Sequence, residues 1–208
     1  MSSGKYDRKD ALYQKAKSEG YRSRAAYKLI ELDKKHKLLQ NAQSIVDLGC
    51  APGGWLQVLS RLAPKGAKIV GIDRAVTEEI KDGAAKSKPL ILTGDFLEEE
   101  TQQKVRDICG GSVDVVVSDL SPDMSGIYFR DAARSAELVE LVFEFAGQVL
   151  KVGGSVVAKV FPGAESDELF NRYRPWFKKI TRENLDSTRK TSKEMYFVAL
   201  GYKGTARN

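Results

Sequence analysis

Histidine is nearly absent from this chain: His36 is the single one in 208 residues. That argues against a histidine-based nucleophilic triad and against a histidine-ligated metal, since such metal sites draw on several imidazoles. His36 sits in a lysine-rich segment, where a solvated surface side chain is expected. Cysteine is also scarce. Cys50 and Cys109 share no metal-type spacing and lie in or beside apolar segments. No disulfide and no metal site are expected from them, and a reducing, cytoplasmic setting fits. Long apolar runs are missing too. No stretch approaches the roughly 18 consecutive apolar residues of a membrane span, and no signal peptide is recognisable. No internal repeat or low-complexity segment is evident.

What the chain does have is cationic charge in one place. The net charge is +6. Residues 1–43 hold 11 Lys/Arg against 5 Asp/Glu, while the remainder holds 23 of each. A neutral domain with a basic N-terminal segment suggests a polyanionic partner, and a solvated arm is the plain alternative. The division is therefore 1–43, a basic segment with helices packed on the core, and 44–208, the main domain. At this length the whole suits a single domain.

The stretch 44–55, SIVDLGCAPGGW, organises the rest. Ile45, Val46 and Leu48 form a short apolar strand, Gly49 ends it, and Gly53-Gly54 lead into a helix over 55–62. Strand, glycine turn and helix make a nucleotide-type site in an open α/β sheet, where ligands lie beyond the carboxyl ends of strands. Glycine is expected where a Cβ would hold a ligand off the backbone. The spacing Gly49-x-x-x-Gly53-Gly54 differs from the dinucleotide G-x-G-x-x-G, and no P-loop lysine is present. The loop thus suits a nucleoside without phosphates. Asp73 ends the next strand (68–72), placed for ribose hydroxyls; Asp95, after the third apolar run (89–92), is placed for a base. A ligand with ribose, adenine and no phosphate suggests S-adenosylmethionine.

Along the chain, residues 1–10 are expected to be poorly ordered, and 11–18 to form a short helix. Arg22 and Arg24 suit phosphate contacts. Ser23 is expected to cap a helix over 24–36, with Lys28 off its apolar stripe. From residue 44 strands and helices alternate, which implies a mainly parallel sheet covered on both faces. A fourth strand is expected over 113–118, a long amphipathic helix over 131–150, a fifth strand over 155–160 and a helix over 166–177. Two final strands, near 180–185 and 195–202, close the sheet as an antiparallel pair.

Three charges sit where charges are expensive. Asp119 ends VDVVVS, Lys159 interrupts SVVAKV, and Glu194 precedes MYFVALGY. Buried charges are paired or functional. A Lys159–Asp119 pair that merely sutures two strands is the structural alternative, but both strands end on the ligand side of such a sheet.

Six segments together are similar to the FtsJ/RrmJ family of ribose 2′-O-methyltransferases, over nearly the whole chain: GYRSRAAYKL, VDLGCAPGGW, TGDF, SDLSPDMSG, GGSVVAKVF and SKEMYFVALG. The resemblance implies a Rossmann-like, S-adenosylmethionine-dependent methyltransferase fold of class α/β. Its sheet would be seven-stranded and mostly parallel with one antiparallel strand, with helices on both faces. It also implies a Lys-Asp-Lys-Glu tetrad, which falls on Lys28, Asp119, Lys159 and Glu194. Cofactor contacts fall on Gly49, Gly53, Trp55, Asp73, Asp95 and Asp119, and Arg22, Arg24 and Lys28 are the RNA-binding candidates. No metal is implied, and a monomer is the family expectation. The implied substrate is large-subunit ribosomal RNA, at a uridine of the peptidyl-transferase region, with Lys159 orienting or deprotonating the 2′-hydroxyl. Cys50 stands where alanine is common and Asp123 where asparagine is frequent; the latter adds negative charge near the substrate loop. Three other functions stay open here: tRNA anticodon-loop 2′-O-methylation, RNA binding without catalysis, and an NAD-dependent dehydrogenase. Glycine spacing and the lack of a catalytic histidine disfavour the last.

Overall fold

A computed structural model describes residues 11–189 and 191–204. The expectation for residues 1–10 therefore lies outside the described residues. Seven strands form one sheet: β1 Ser44–Leu48, β2 Lys68–Asp73, β3 Leu90–Thr93, β4 Val113–Ser118, β5 Leu150–Val160, β6 Phe177–Glu183 and β7 Met195–Tyr202. Their order is β3-β2-β1-β4-β5-β7-β6. Neighbours from β3 to β5 pair in parallel, whereas β7 lies antiparallel between β5 and β6. The order reverses between β1 and β4, and a crevice opens at such a reversal on the carboxyl edge of the strands.

The central strands are buried along their whole length, as their continuous apolar character requires. Every residue of β1 and β4 is buried. One face of the sheet is covered by α4 (Glu99–Cys109), α5 (Tyr128–Val149) and α6 (Ala164–Tyr173) over Val46, Val116 and Phe197. The other is covered by α2 (Ala26–His36) and α3 (Gly54–Leu62) over Ile45, Val117 and Val198. α1 (Ala11–Ser18) precedes them and buries Ala16. The basic N-terminal segment is thus part of the fold: Leu29, Leu32 and Leu39 are fully buried.

Several local expectations are corrected. α2 begins at Ala26 with no side-chain cap, because the Ser23 hydroxyl is packed over Gly54, where an added Cβ would lie 2.3 Å from it. α5 starts three residues early, at Tyr128. α6 stops at Tyr173, and Pro175 sits in a short 3-10 turn, Arg174–Trp176, before β6. β5 begins at Leu150 rather than Ser155, passing through an irregularity in its pairing with β4 where Gly153 takes φ +87°. His36 is not a solvated surface residue. Its side chain is 7 % exposed and its Nε2 lies 3.1 Å from Glu183 on β6.

Candidate active site

The sheet register brings the distant charges together. Ser118, last in β4, pairs with Ala158, so Asp119 emerges beside Lys159. Lys159 pairs in turn with Tyr196, and Val160 with Met195, so Glu194 enters at the same edge. α2 packs over this region and supplies Lys28. Lys159 Nζ donates to the Asp119 carbonyl at 2.7 Å and lies 3.3 Å from its carboxylate. Lys28 Nζ lies 2.5 Å from Glu194 Oε1 and 3.6 Å from Asp119 Oδ1. The four side chains are between 7 and 20 % exposed. Two cations and two anions, nearly dry and alternating, compensate one another as buried charges must.

Tyr196 completes the cluster and was not singled out from sequence. Its hydroxyl donates to Asp119 Oδ1 at 2.6 Å, and its ring is fully buried beneath Lys28, 5.7 Å from Nζ. Burial, then the Asp119 and Glu194 charges, push the phenol well above its ordinary pKa, so it stays a donor. Strand periodicity could have found it, because Glu194 directly precedes β7 and Tyr196, two positions on, falls on the same side of an extended chain. Thr188 also donates to Glu194, at 3.3 Å.

A cleft opens at the carboxyl edge of the same sheet, lined by Gly49, Ile72, Asp73, Arg74, Gly94, Phe96, Leu120, Leu138 and Leu141 among others. Leu120, next to Asp119 in the chain, is the shared wall. The apolar lining suits a flat ring and the Asp73 carboxylate a diol. Asp73 accepts from the Ala51 and Ala75 amides, at 2.9 and 2.8 Å, which fixes its carboxylate at the end of β2. Asp95 pairs with Arg74 and accepts from the Leu97 amide at 3.0 Å. Burial alone would raise its pKa, but that amide and the Arg74 guanidinium hold it below the usual carboxylate range. Asp47, in the middle of β1, is 1 % exposed with Oδ2 unpartnered. Burial, then the charges of Asp119 and Asp73, push its carboxyl well up.

The glycine turn works differently from the expectation. A Cβ on Gly49 (φ +74°) would lie 2.2 Å from the Leu120 side chain, and one on Gly53 (φ +106°) 2.8 Å from Arg22 and Ile80. The turn needs glycine because protein packs against it, and Gly49 alone of the two faces the cleft. Trp55 is 4 % exposed and donates its indole N–H to the Ala25 carbonyl at 2.8 Å, so its side chain belongs to the core beneath α2. Arg22 donates to the carbonyls of Pro52, Glu78 and Glu79, and Arg24 to that of Ser187. Both guanidiniums clamp the N-terminal segment onto loops that border the site. Among the described residues no group of His, Cys, Asp and Glu is placed to hold a metal ion.

The FtsJ-like methyltransferase family matches residues 21–202, a span that includes every residue of this cluster. The chain belongs to that family. Its relatives include the ribosomal RNA large subunit methyltransferase E of Halobacterium salinarum, 44 % identical over 193 residues, covering 92 % of this chain and 73 % of the relative. The protein of the same name from Methanobrevibacter smithii is 39 % identical over 198 residues, covering 93 % and 90 %. Among solved structures, a Plasmodium falciparum ribosomal RNA methyltransferase superposes with a TM-score of 0.75 at 28 % identity, over 88 % of this chain and 100 % of that one.

Proposed function

We propose that the protein transfers a methyl group from S-adenosylmethionine to a ribose 2′-hydroxyl of large-subunit ribosomal RNA, a uridine of the peptidyl-transferase region on the family resemblance. The convergence of Lys28, Asp119, Lys159 and Glu194 beside the cleft carries this reading. The names of the relatives support the choice of RNA.

S-adenosylmethionine, when bound, supplies an electrophilic methyl group on a sulfonium. Asp73 would hold its ribose and Phe96, Leu120, Leu138 and Leu141 its adenine, and Asp119, next to Leu120 in the chain, would face its cationic end. A 2′-hydroxyl is a weak nucleophile at neutral pH. Lys159 orients it: Asp119 engages the lysine through one side-chain and one main-chain oxygen, which leaves one of three ammonium hydrogens for the attacking oxygen. As the oxygen–methyl bond forms the hydroxyl proton leaves, to the Lys159 amine when that is neutral or to water when it is an ammonium, and in the second case the negative charge that develops on the oxygen falls beside Lys159 Nζ. Asp119, held by Tyr196 and Lys28, fixes Lys159. Glu194 fixes Lys28. A rigid site of this kind lowers the barrier chiefly by holding the reactants in line.

Exposed cations of the N-terminal segment, Lys15 and Lys17, suit phosphates, with Arg22 and Arg24 anchoring that segment at the rim. The test is transfer of tritiated methyl to large-subunit rRNA and to bulk tRNA, with the product mapped by resistance to alkaline cleavage. Label in rRNA that blocks cleavage 3′ to one nucleotide is expected. Label on a base, or in tRNA alone, would overturn the assignment.

A further inference from the structure

Four large apolar side chains stand in solvent next to the charged cluster. Met124, Ile127, Tyr128 and Phe129 are 60, 52, 37 and 81 % exposed. They lie in the loop from Asp119 to the head of α5. Exposed apolar groups gathered in one place mark a contact surface.

The turn that presents them is built. Asp131, 2 % exposed, accepts from the Ser125 amide and hydroxyl at 2.8 and 2.7 Å and from the Gly126 amide at 3.1 Å. Tyr128 donates its hydroxyl to the Pro162 carbonyl at 2.7 Å, which ties the head of α5 to the chain just beyond Lys159. The two rings meet edge to face, 6.0 Å between centroids, and the ring of Phe129 is left open. The rings are thus fixed relative to the catalytic lysine.

Charge identifies the occupant. Lys193 Nζ lies 4.7 Å from the centre of the Tyr128 ring, and Lys193 is next to Glu194 in the chain. Arg130 and Arg134 are exposed on the same helix. Lysine, unlike arginine, is depleted at protein interfaces, so the Lys193 ammonium on the Tyr128 ring favours a polyanionic occupant. Open aromatic faces bracketed by cations are how single-stranded nucleic acid is held: bases stack on the rings and phosphates meet the cations. With Lys159 only 7 % exposed, a ribose on a flexible unpaired segment reaches it more readily than one in a stiff duplex, and the neighbouring bases of such a segment need somewhere to stack.

Resting on the 2′-O-methyltransferase reading above, we propose that Phe129, supported by Tyr128, is a stacking platform for an unpaired base flanking the methylated ribose, with Lys193 and Arg130 meeting the adjoining phosphates. The test compares Phe129→Ala and Phe129→Tyr. Phe129 is so exposed that neither change should disturb folding, which circular dichroism checks. In methyl transfer to large-subunit rRNA, Phe129→Ala raises KM for RNA roughly tenfold, the loss appears in KM rather than kcat, and Phe129→Tyr restores wild-type KM. The Kd for S-adenosylmethionine does not move. Fluorescence anisotropy with labelled oligouridine, without donor, shows the same roughly tenfold weakening for Phe129→Ala. Unchanged KM and unchanged oligouridine affinity in Phe129→Ala would overturn the platform while wild-type methylation left the enzyme assignment standing. Wild-type oligomers that Phe129→Ala dissociates, with oligouridine affinity intact, would also overturn it, marking a contact between copies. A wild type that methylates no RNA would remove the enzyme assignment, and the anisotropy result then stands separately.

Discussion

Replacing Lys159 by alanine tests the chemistry at its centre. The structure sets what the change should leave intact. Asp119 keeps the Tyr196 hydroxyl at 2.6 Å and Lys28 at 3.6 Å, so its carboxylate is not orphaned. Stripping a buried pair of one partner costs ~3–5 kcal/mol when nothing replaces it. With two partners remaining and a carboxylate 20 % exposed, the cost should be nearer ~1.5–3 kcal/mol, the scale of one charged hydrogen bond. The fold and the donor cleft should survive. Catalysis should not, because the attacking oxygen loses its positioning donor. Losing one such donor costs on the order of a hundredfold in kcat, about 2.7 kcal/mol on the barrier. Single-turnover transfer of tritiated methyl to rRNA measures that loss, and calorimetry with S-adenosylmethionine measures the intact cleft. Retention of more than a tenth of wild-type kcat, with normal folding, would remove Lys159 from the mechanism. The pH–rate profile divides its work further: a rate that climbs with pH through the neutral range assigns proton uptake to Lys159, and a flat profile assigns charge stabilisation.

Three further outcomes are expected. Gly49→Ala should weaken S-adenosylmethionine binding by tenfold or so in calorimetry, since a Cβ there strains φ +74° and pushes Leu120 into the cleft; an unchanged Kd would separate that turn from the donor. Arg22→Ala should lower stability in urea by about 1–3 kcal/mol, because three backbone carbonyls lose a cationic donor; a loss of RNA affinity at unchanged stability would instead make Arg22 a phosphate contact. His36, as the single histidine, gives one resolvable imidazole resonance. Burial lowers its pKa against the opposing pull of Glu183, so the NMR midpoint should fall below about 6.5. The unfolded chain then binds the extra proton first. This contribution to stability is complete above about pH 6.5 and is lost as pH falls through the lowered folded value. A midpoint above 6.5 would refute this.

How much of this was legible beforehand depends on where the deciding contact lies. Asp119 and Lys159 announced themselves because each interrupts or ends an apolar run, a purely local signal. Lys28 did not: on α2 it looks like any surface lysine, and only the packing of that helix over β7 gives it Glu194. His36 misled for the same reason, since its partner Glu183 lies on the far edge strand. Trp55 is the converse case, a residue of a recognisable motif whose indole is buried on Ala25 and against the Tyr196 ring and is not among the residues that line the cleft. The strands of the sheet's centre read clearly because β-branched and other apolar residues dominate them, with a single charge in each of β1 and β4. α4 was overlooked because its buried face, Thr101, Gln102, Val105 and Cys109, is half polar and shows little apolar period.

The antiparallel placement of β7 has a consequence for how the protein is made. Walls of the cleft come from residues between Gly49 and Leu141, whereas Glu194 and Tyr196 arrive with the last strand. On a ribosome, the cleft walls are therefore spelled out well before the charged cluster is complete. A nascent chain released before β7 lacks Glu194 and Tyr196, and with them the partners that hold Lys28 and Asp119.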